Sequence, residues 1–213
     1  MSRDTRSALL DAAQERFAID GFAGTSVRDL AAAVGIKESS VYNHFGSKQA
    51  VLDAVLARID ERLAAVARRF GVPIGDARDA APIYQRITLD RLGSAAIGFL
   101  DVWLHDPGLV AARRVLILEQ YRTPEAARLL RELTVERPLA FQAAVFAELI
   151  RKGEFRPADP EVLALAFWGP ILAILAAAEE PGREPEAERL LRTHLEHFRN
   201  TYSAGADRGE EDA

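Results

Sequence analysis

Residues 25–48 read Thr-Ser-Val-Arg-Asp-Leu-Ala-Ala-Ala-Val-Gly-Ile-Lys-Glu-Ser-Ser-Val-Tyr-Asn-His-Phe-Gly-Ser-Lys. Ser26 with Asp29 three residues later has the spacing of a capping box, with Asp in place of the usual Glu or Gln. It precedes Val27, Leu30, Ala31 and Val34 at i, i+3, i+4 and i+7, the spacing of one apolar helix face. Gly35 then breaks the helix, and Ile36 leads into a short helix over 38–44 whose core-facing members are Val41 and the adjoining Phe45. Two short helices joined by a glycine turn, with a small residue, Ala31, near their crossing, make a helix-turn-helix. The second helix carries Glu38, Ser39, Ser40, Tyr42, Asn43 and His44, groups suited to base edges and phosphate oxygens rather than to a protein core.

Outward from this stretch the helical period continues. Arg6 to Ile19 places Leu9, Leu10, Ala13 and Phe17 on one face and stops at Gly21. Ser47 is a plausible N-cap for a long fourth helix reaching Phe70, striped with Val51, Val55, Ile59, Leu63 and Val66. Gly71-Val-Pro-Ile-Gly75-Asp is the expected linker. Helices are then expected at 82–92, 94–105, 108–121, 124–153 with a kink at Pro138, 160–179 and 184–203. Asp106-Pro107, Thr123-Pro124 and Asp159-Pro160 each set a capping side chain before a proline at the first helical position. Strand patterning is nearly absent.

The 213 residues contain no cysteine, and their hydrophobic fraction of 49% is that of an ordinary globular protein. Disulfides and thiolate chemistry are thereby excluded. Val162 to Ala178, the most apolar run, holds Pro170 and is flanked by acidic residues, so it is expected to be a buried helix and no membrane partner is expected. The opening Met-Ser-Arg-Asp-Thr-Arg lacks the apolar segment of a secretory signal, which makes the cytoplasm the expected location. The net charge of −5 is unevenly spread: residues 1–69 hold ten Lys/Arg against nine Asp/Glu, so the acidity lies C-terminally and does not forbid DNA binding near the N-terminus.

Thr5-Arg6, Ala12-Ala13, Phe17, Gly21-Phe22, Thr25 to Ala31, Val34-Gly35-Ile36, Val41 to Lys48 and Leu52 together resemble the DNA-binding domain of the TetR family of bacterial regulators. The resemblance covers residues 5–52. It implies an all-α fold of nine or ten helices, a homodimer, and a variable C-terminal domain whose small-molecule ligand releases the protein from its operator. The expected division is a helix-turn-helix DNA-binding domain at 1–47, a connecting helix at 48–70, a ligand-binding and dimerisation domain at 71–203, and a disordered tail at 204–213.

By that resemblance Tyr42 and His44 contact phosphate, and Lys48, at the start of the fourth helix, shares one with the positive helix end. Thr25 and Ser26 divide capping and phosphate contact. Arg28 reaches phosphate or a guanine edge, Lys37 reaches phosphate, and Ser39, Ser40 and Asn43 are base-contact candidates. Lys37 and Glu38 depart from the family pattern, which often has a serine or threonine cap there. Glu38 accepts from a cytosine amino group, pairs with Lys37, or acts by excluding wrong sequences.

In the C-terminal part Tyr84, Phe99, Trp103, Tyr121, Phe141, Phe146 and Trp168 are candidates for an apolar effector pocket, with Arg113 or Arg114 as anchors for an anionic group. Phe167, Ile171, Leu175, Leu191, Leu195, Phe198 and Tyr202 are candidates for the dimer interface, through the last two helices as in relatives. A dimer reads successive major grooves about 34–36 Å apart and so prefers a palindromic double-stranded operator. Ligand binding is expected to shift the fourth helix and change the spacing of the two reading heads. Neither a cofactor nor a metal is expected, and no Gly-rich phosphate loop or nucleophile elbow supports an enzyme. His194 and His197 share a helix face near Glu196 but have no identifiable further ligand. The competing readings are a helical dimer acting through protein partners and, behind it, a helical enzyme.

Overall fold

The computed structural model describes residues 5–72 and 88–204. Its helices, numbered among the described residues, are α1 Thr5–Gly24, α2 Val27–Ala33, α3 Glu38–Tyr42, α4 Lys48–Arg69, α5 Leu89–His105, α6 Pro107–Glu119, α7 Pro124–Arg131, α8 Arg137–Arg151, α9 Pro160–Ala177 and α10 Glu184–Tyr202. A π-helical turn, Glu132–Glu136, joins α7 to α8. The extended contact among them is a single bridge pairing Phe155 with Ser203. The fold is all-α, as the periodicity predicts.

Packing divides the chain into two units, one of Met1–Ala65 with Pro107–Arg131 and the other of Val66–Asp106 with Glu132–Ala213. The segment Pro107–Arg131 thus packs with the N-terminal helices rather than with the rest of 71–203. The reason lies in α6, whose Leu109, Ala112, Val115 and Leu116 are fully buried in the first unit. There α6 lies along α1, and Gln14, itself buried, donates from Nε2 to the Gly108 carbonyl at 3.1 Å. Arg58 braces the same place, donating to the Asp11 carboxylate at 2.7 Å and to the Gln14 side-chain Oε1 at 3.1 Å.

The second unit is built on aromatic packing. Phe146, Phe167 and Phe198 are almost wholly buried, with ring centroids 5.0–5.7 Å apart, and Phe155 joins them. Edge and tilted contacts of this kind add to the apolar area that each ring removes from water.

Several boundaries differ from the sequence expectation for identifiable reasons. The helices expected at 94–105 and up to 92 are one element from Leu89, because Gly93 sits inside the helix near Leu195 instead of ending it. The first part of the 82–92 expectation, most of the 71–76 linker and nearly all of the 204–213 tail lie outside the described residues. The kink expected at Pro138 is the π turn: Pro138 has no N–H for the Thr134 carbonyl four residues earlier, and the Trp168 indole N–H donates to that carbonyl at 2.7 Å. At Asp159 the expected cap forms, the carboxylate accepting from the N–H groups of Glu161 and Val162.

Helix α9 meets the length and composition of a membrane-crossing helix, with 33% of it buried in the protein. Its inner stripe of Leu163, Phe167, Trp168, Ile171 and Leu175 packs in the second unit's core, while Val162 and Leu165 are each 60% exposed. The helix expected to be buried is therefore buried along one face.

Candidate DNA-reading surface

Helix α2 begins as its sequence dictates. Ser26 Oγ accepts from Asp29 N at 3.1 Å, and Asp29 Oδ2 accepts from Ser26 N at 2.8 Å and from the Ser26 hydroxyl at 2.6 Å, completing the capping box. The hydrogen bond from the Ser26 side chain, followed by that from its backbone, holds the Asp29 carboxyl below its ordinary value. At the other end Gly35 takes φ 71°, and its N–H and that of Ile36 close on the carbonyls of Ala32 and Ala31. A side chain at Gly35 would meet nothing within 4 Å, so the glycine is required by the left-handed backbone alone.

This turn delivers α3 with Val41 buried and Phe45 buried just after it. Two apolar anchors hold the short helix while the rest of it faces water. Lys37, Glu38, Ser39, Tyr42, Asn43 and His44 are exposed and Ser40 is half-buried, and on α2 Arg28 is exposed too. Tyr42 is 50% exposed, ruling out a core tyrosine. Among the described residues neither Lys37 nor Glu38 makes an ion pair, so the pairing between them is not formed, and Lys37 begins the helix without a side-chain cap.

Two sequence-named residues serve the scaffold instead. Thr25 is buried, 2% exposed, and its hydroxyl donates to the Gly21 carbonyl at 2.9 Å, so it is not placed to meet phosphate. Lys48 turns its ammonium inward: Nζ donates to the Phe22 and Thr25 carbonyls at 2.8 and 2.9 Å and lies 4.2 Å from the centroid of the Phe22 ring. It ties the start of α4 to the turn before α2, where the sequence suggested a free phosphate contact. Ser26 is exposed, but its hydroxyl is engaged in the cap.

Glu119, a residue that sequence reasoning missed, closes this turn from the other side. It is 1% exposed, and Oε1 accepts the Phe22 N–H at 2.9 Å. A signal was present, because Glu119 continues the Leu109, Ala112, Leu116 spacing and so puts a carboxylate on a core-facing stripe.

The effector-pocket candidates separate. Phe99, Trp103 and Trp168 form one cluster, with Phe99 5.5 Å from Trp103, 6.0 Å from Trp168 and 5.5 Å from Phe70. Phe146 belongs to the other aromatic group, and Phe141 is buried in the same core. Tyr121 is 90% exposed, so it lines no enclosed pocket. Tyr84 lies outside the described residues. Arg113 is buried in the first unit and Arg114 is exposed, so neither is an anchor within the aromatic cluster. Gln142, unremarked in the sequence, is 5% exposed on the buried stripe of α8, and Oε1 has no hydrogen-bond partner among the described residues.

The dimer candidates fail as a face. Phe167, Ile171, Leu175, Leu191 and Phe198 are at most 2% exposed in the protein's own core, and Leu195 and Tyr202 pack against that core. The apolar spacing on α10 identified a seam, but the seam faces inward. His194 faces inward as well, with Nε2 2.9 Å from the Phe167 carbonyl, and no cluster of three metal-ligating side chains occurs among the described residues.

Comparison with known proteins matches residues 9–55 to the family described as bacterial regulatory proteins, tetR family. Over 51 residues the chain is 47% identical to the HTH-type transcriptional repressor KstR2 of Rhodococcus jostii, which is 24% of this chain and 25% of that relative. The chain thus spans about a quarter of that relative's length. Along nearly the whole chain the fold is shared with solved structures. SmeT, the repressor of the Stenotrophomonas maltophilia multidrug efflux pump SmeDEF, in its triclosan complex has a TM-score of 0.66 at 20% identity, covering 94% of this chain and 92% of that one. A TetR family transcriptional regulator from Pseudomonas syringae has a TM-score of 0.62 at 21% identity, covering 95% and 99%. At such identities the structures speak to the fold alone, but the N-terminal match and the capped helix-turn-helix speak to the residues. Residues 9–55 thus match the tetR family of bacterial regulatory proteins, and the chain as a whole shares the fold of these solved structures.

Proposed function

We propose that this protein is a ligand-responsive transcriptional repressor that binds a palindromic operator as a homodimer and is released by an apolar small molecule. The observation that carries the reading is the belt of Arg28, Lys37, Glu38, Ser39, Tyr42, Asn43 and His44, left open to water with Ser40 half-buried beside them, around a helix anchored by Val41. Folding requires the anchor and gives no reason for the belt. Its groups are donors and acceptors of the length that reaches phosphates and base edges. The family match over residues 9–55, which includes this belt, supports the same reading.

A second copy is the partner best suited to the outward face of α9. Val162 and Leu165, followed by the exposed Pro170, Ala173 and Ala176, form an apolar strip along α9, and Leu190 on α10 is 38% exposed as well. Contiguous exposed apolar surface of this kind marks an interaction site. These residues replace the inward-facing set as the proposed dimer contacts. For the effector, the cluster of Phe99, Trp103 and Trp168 supplies aromatic walls, and Gln142 supplies a polar atom buried in the same unit. That SmeT was solved with triclosan supports an apolar aromatic ligand for this fold.

The test is retention of DNA by the purified full-length protein. A fragment containing a palindrome, drawn from the region upstream of its own gene, is expected to bind with an affinity that falls steeply as salt rises. An apolar aromatic compound that raises the melting temperature is expected to release the fragment. Indifference to every duplex offered would refute the reading, and equal affinity with and without a bound compound would refute the ligand response.

A further inference from the structure

Glu119 carries a charge that the core has no need of. A carboxylate removed from water costs several kcal/mol unless its interactions replace what water gave it. Leucine, in keeping with Leu109 and Leu116 on the same stripe, would fill the position without that cost. What Glu119 does touch is the turn on which the reading helices are mounted.

At Gly21 the chain takes φ 69° and ψ 170°, which breaks the α1 ladder and leaves the backbone N–H and carbonyl of Phe22 to be satisfied from outside it. Both backbone polar atoms of Phe22, which belong to successive peptide groups, are taken by charged side chains. Glu119 Oε1 accepts the N–H at 2.9 Å, and Lys48 Nζ donates to the carbonyl at 2.8 Å. Lys48 also binds the Thr25 carbonyl, Thr25 binds back to Gly21, and Ser26, the next residue, caps α2. With the Gly21–Phe22 peptide held by an anion at its N–H and by Thr25 at its carbonyl, and the next peptide held by a cation, neither plane can rotate without breaking a hydrogen bond, charge-assisted for Glu119 and Lys48. A Cβ at Gly21 would lie 3.4 Å from the Glu119 carboxylate, an approach with little slack.

We propose that Glu119 is a positioning residue for DNA reading: by fixing the Gly21–Phe22 peptide through its N–H it sets the orientation in which α2 and α3 leave α1, and so contributes to the choice of operator without touching DNA. This rests on the DNA-reading function proposed above. A residue that merely filled the core would affect stability alone. A positioning residue affects the ratio of specific to general affinity, because that ratio depends on the angle at which the reading helix meets base edges while phosphate attraction does not.

The experiment uses the full-length protein and a duplex selected by the wild type from a pool with a randomised palindrome, with an unselected duplex at low salt as the second probe. Glu119→Ala, measured well below its melting temperature, is expected to lose about tenfold or more in affinity for the selected duplex, the loss expected for a hydrogen bond to a charged group. It should bind the unselected duplex like wild type, and the Phe22 amide should exchange faster with solvent. Glu119→Gln, whose amide oxygen can accept the same N–H, is expected to restore both the affinity ratio and the protection. A folded Glu119→Ala protein with the wild-type ratio, or a Glu119→Gln protein that keeps Phe22 protected yet loses the ratio, overturns the proposal. A wild type that selects no duplex overturns the DNA-reading function and this inference with it, so the two failures are told apart.

Discussion

Helix α3 buries one of its five side chains, Val41, and turns polar groups to water, whereas α9 buries six of eighteen and turns Val162 and Leu165 to water. Each is incompletely explained by the chain's own folding, in opposite senses. The polar surplus on α3 costs nothing in water and is suited to a partner that offers phosphates and base edges. The apolar surplus on α9 is unfavourable in water and is suited to a partner that covers it. The two faces of α9 sharpen the lesson, because a helix apolar all round reads the same from sequence whether its second face meets its own chain, another chain or nothing.

Substitutions on opposite faces of α9 test this most strongly. Phe167→Ala removes a ring packed against Phe146 and Phe198 and is expected to cost about 3–5 kcal/mol of stability, seen as an early denaturant midpoint. Leu165→Glu is expected to leave the fold intact and to separate the proposed dimer in sedimentation. Operator affinity should then fall by about a hundredfold or more, because two linked half-site contacts become two independent ones. If Leu165→Glu sediments as wild type does, the outward strip is not the dimer contact; if Phe167→Ala dissociates the dimer without loss of stability, inner and outer faces have been assigned the wrong way round.

On α3 the expected effects are smaller and of another kind. Lys37→Ala is expected to lower the slope of log affinity against log salt by about one, as for one lost phosphate contact, with stability changed by less than about 0.5 kcal/mol. Tyr42→Phe is expected to weaken all duplexes alike, because its hydroxyl is assigned to the backbone rather than to a base. A loss confined to one operator sequence would move Tyr42 to the base-reading set, and lost stability in either variant would mean that the α3 surface is not surplus to folding.

These contrasts also show where the sequence was legible. Local rules carried the helix-turn-helix, since the Ser26–Asp29 spacing, the left-handed glycine at 35 and the Val41 anchor are written within a few residues of one another. The exposed polar belt followed because a five-residue helix with one anchor has no other side to hide. Thr25 and Lys48 were misread because their partners are backbone carbonyls, which no residue type advertises, and Lys48 reaches back 26 residues to Phe22. Glu119 lies 97 residues from the N–H it accepts, a pairing that periodicity cannot express. For the dimer face the period of α10 was read rightly and its direction wrongly, because a stripe of Leu191, Leu195 and Phe198 serves an inner core and an outer seam equally well.

The smallest expected effect concerns the cap that places α2. Ser26→Ala removes the acceptor for the Asp29 N–H and the hydroxyl donor to its carboxylate, and is expected to cost about 1 kcal/mol. Its pH dependence distinguishes the capping box from an ordinary N-cap. Asp29 is held below the ordinary aspartate value of 3.8 chiefly by the Ser26 hydroxyl, so its folded value lies under its unfolded one. Such a group contributes stability above the unfolded value and loses that contribution as pH falls through the folded value. The stability curves of wild type and Ser26→Ala should therefore run parallel from neutral pH down to about 4 and draw together only in stronger acid. Curves that converged between pH 7 and 5 would assign the Ser26 effect to some other group, and curves that stayed parallel throughout would mean the reciprocal half of the box contributes nothing, leaving α2 held by the serine oxygen alone.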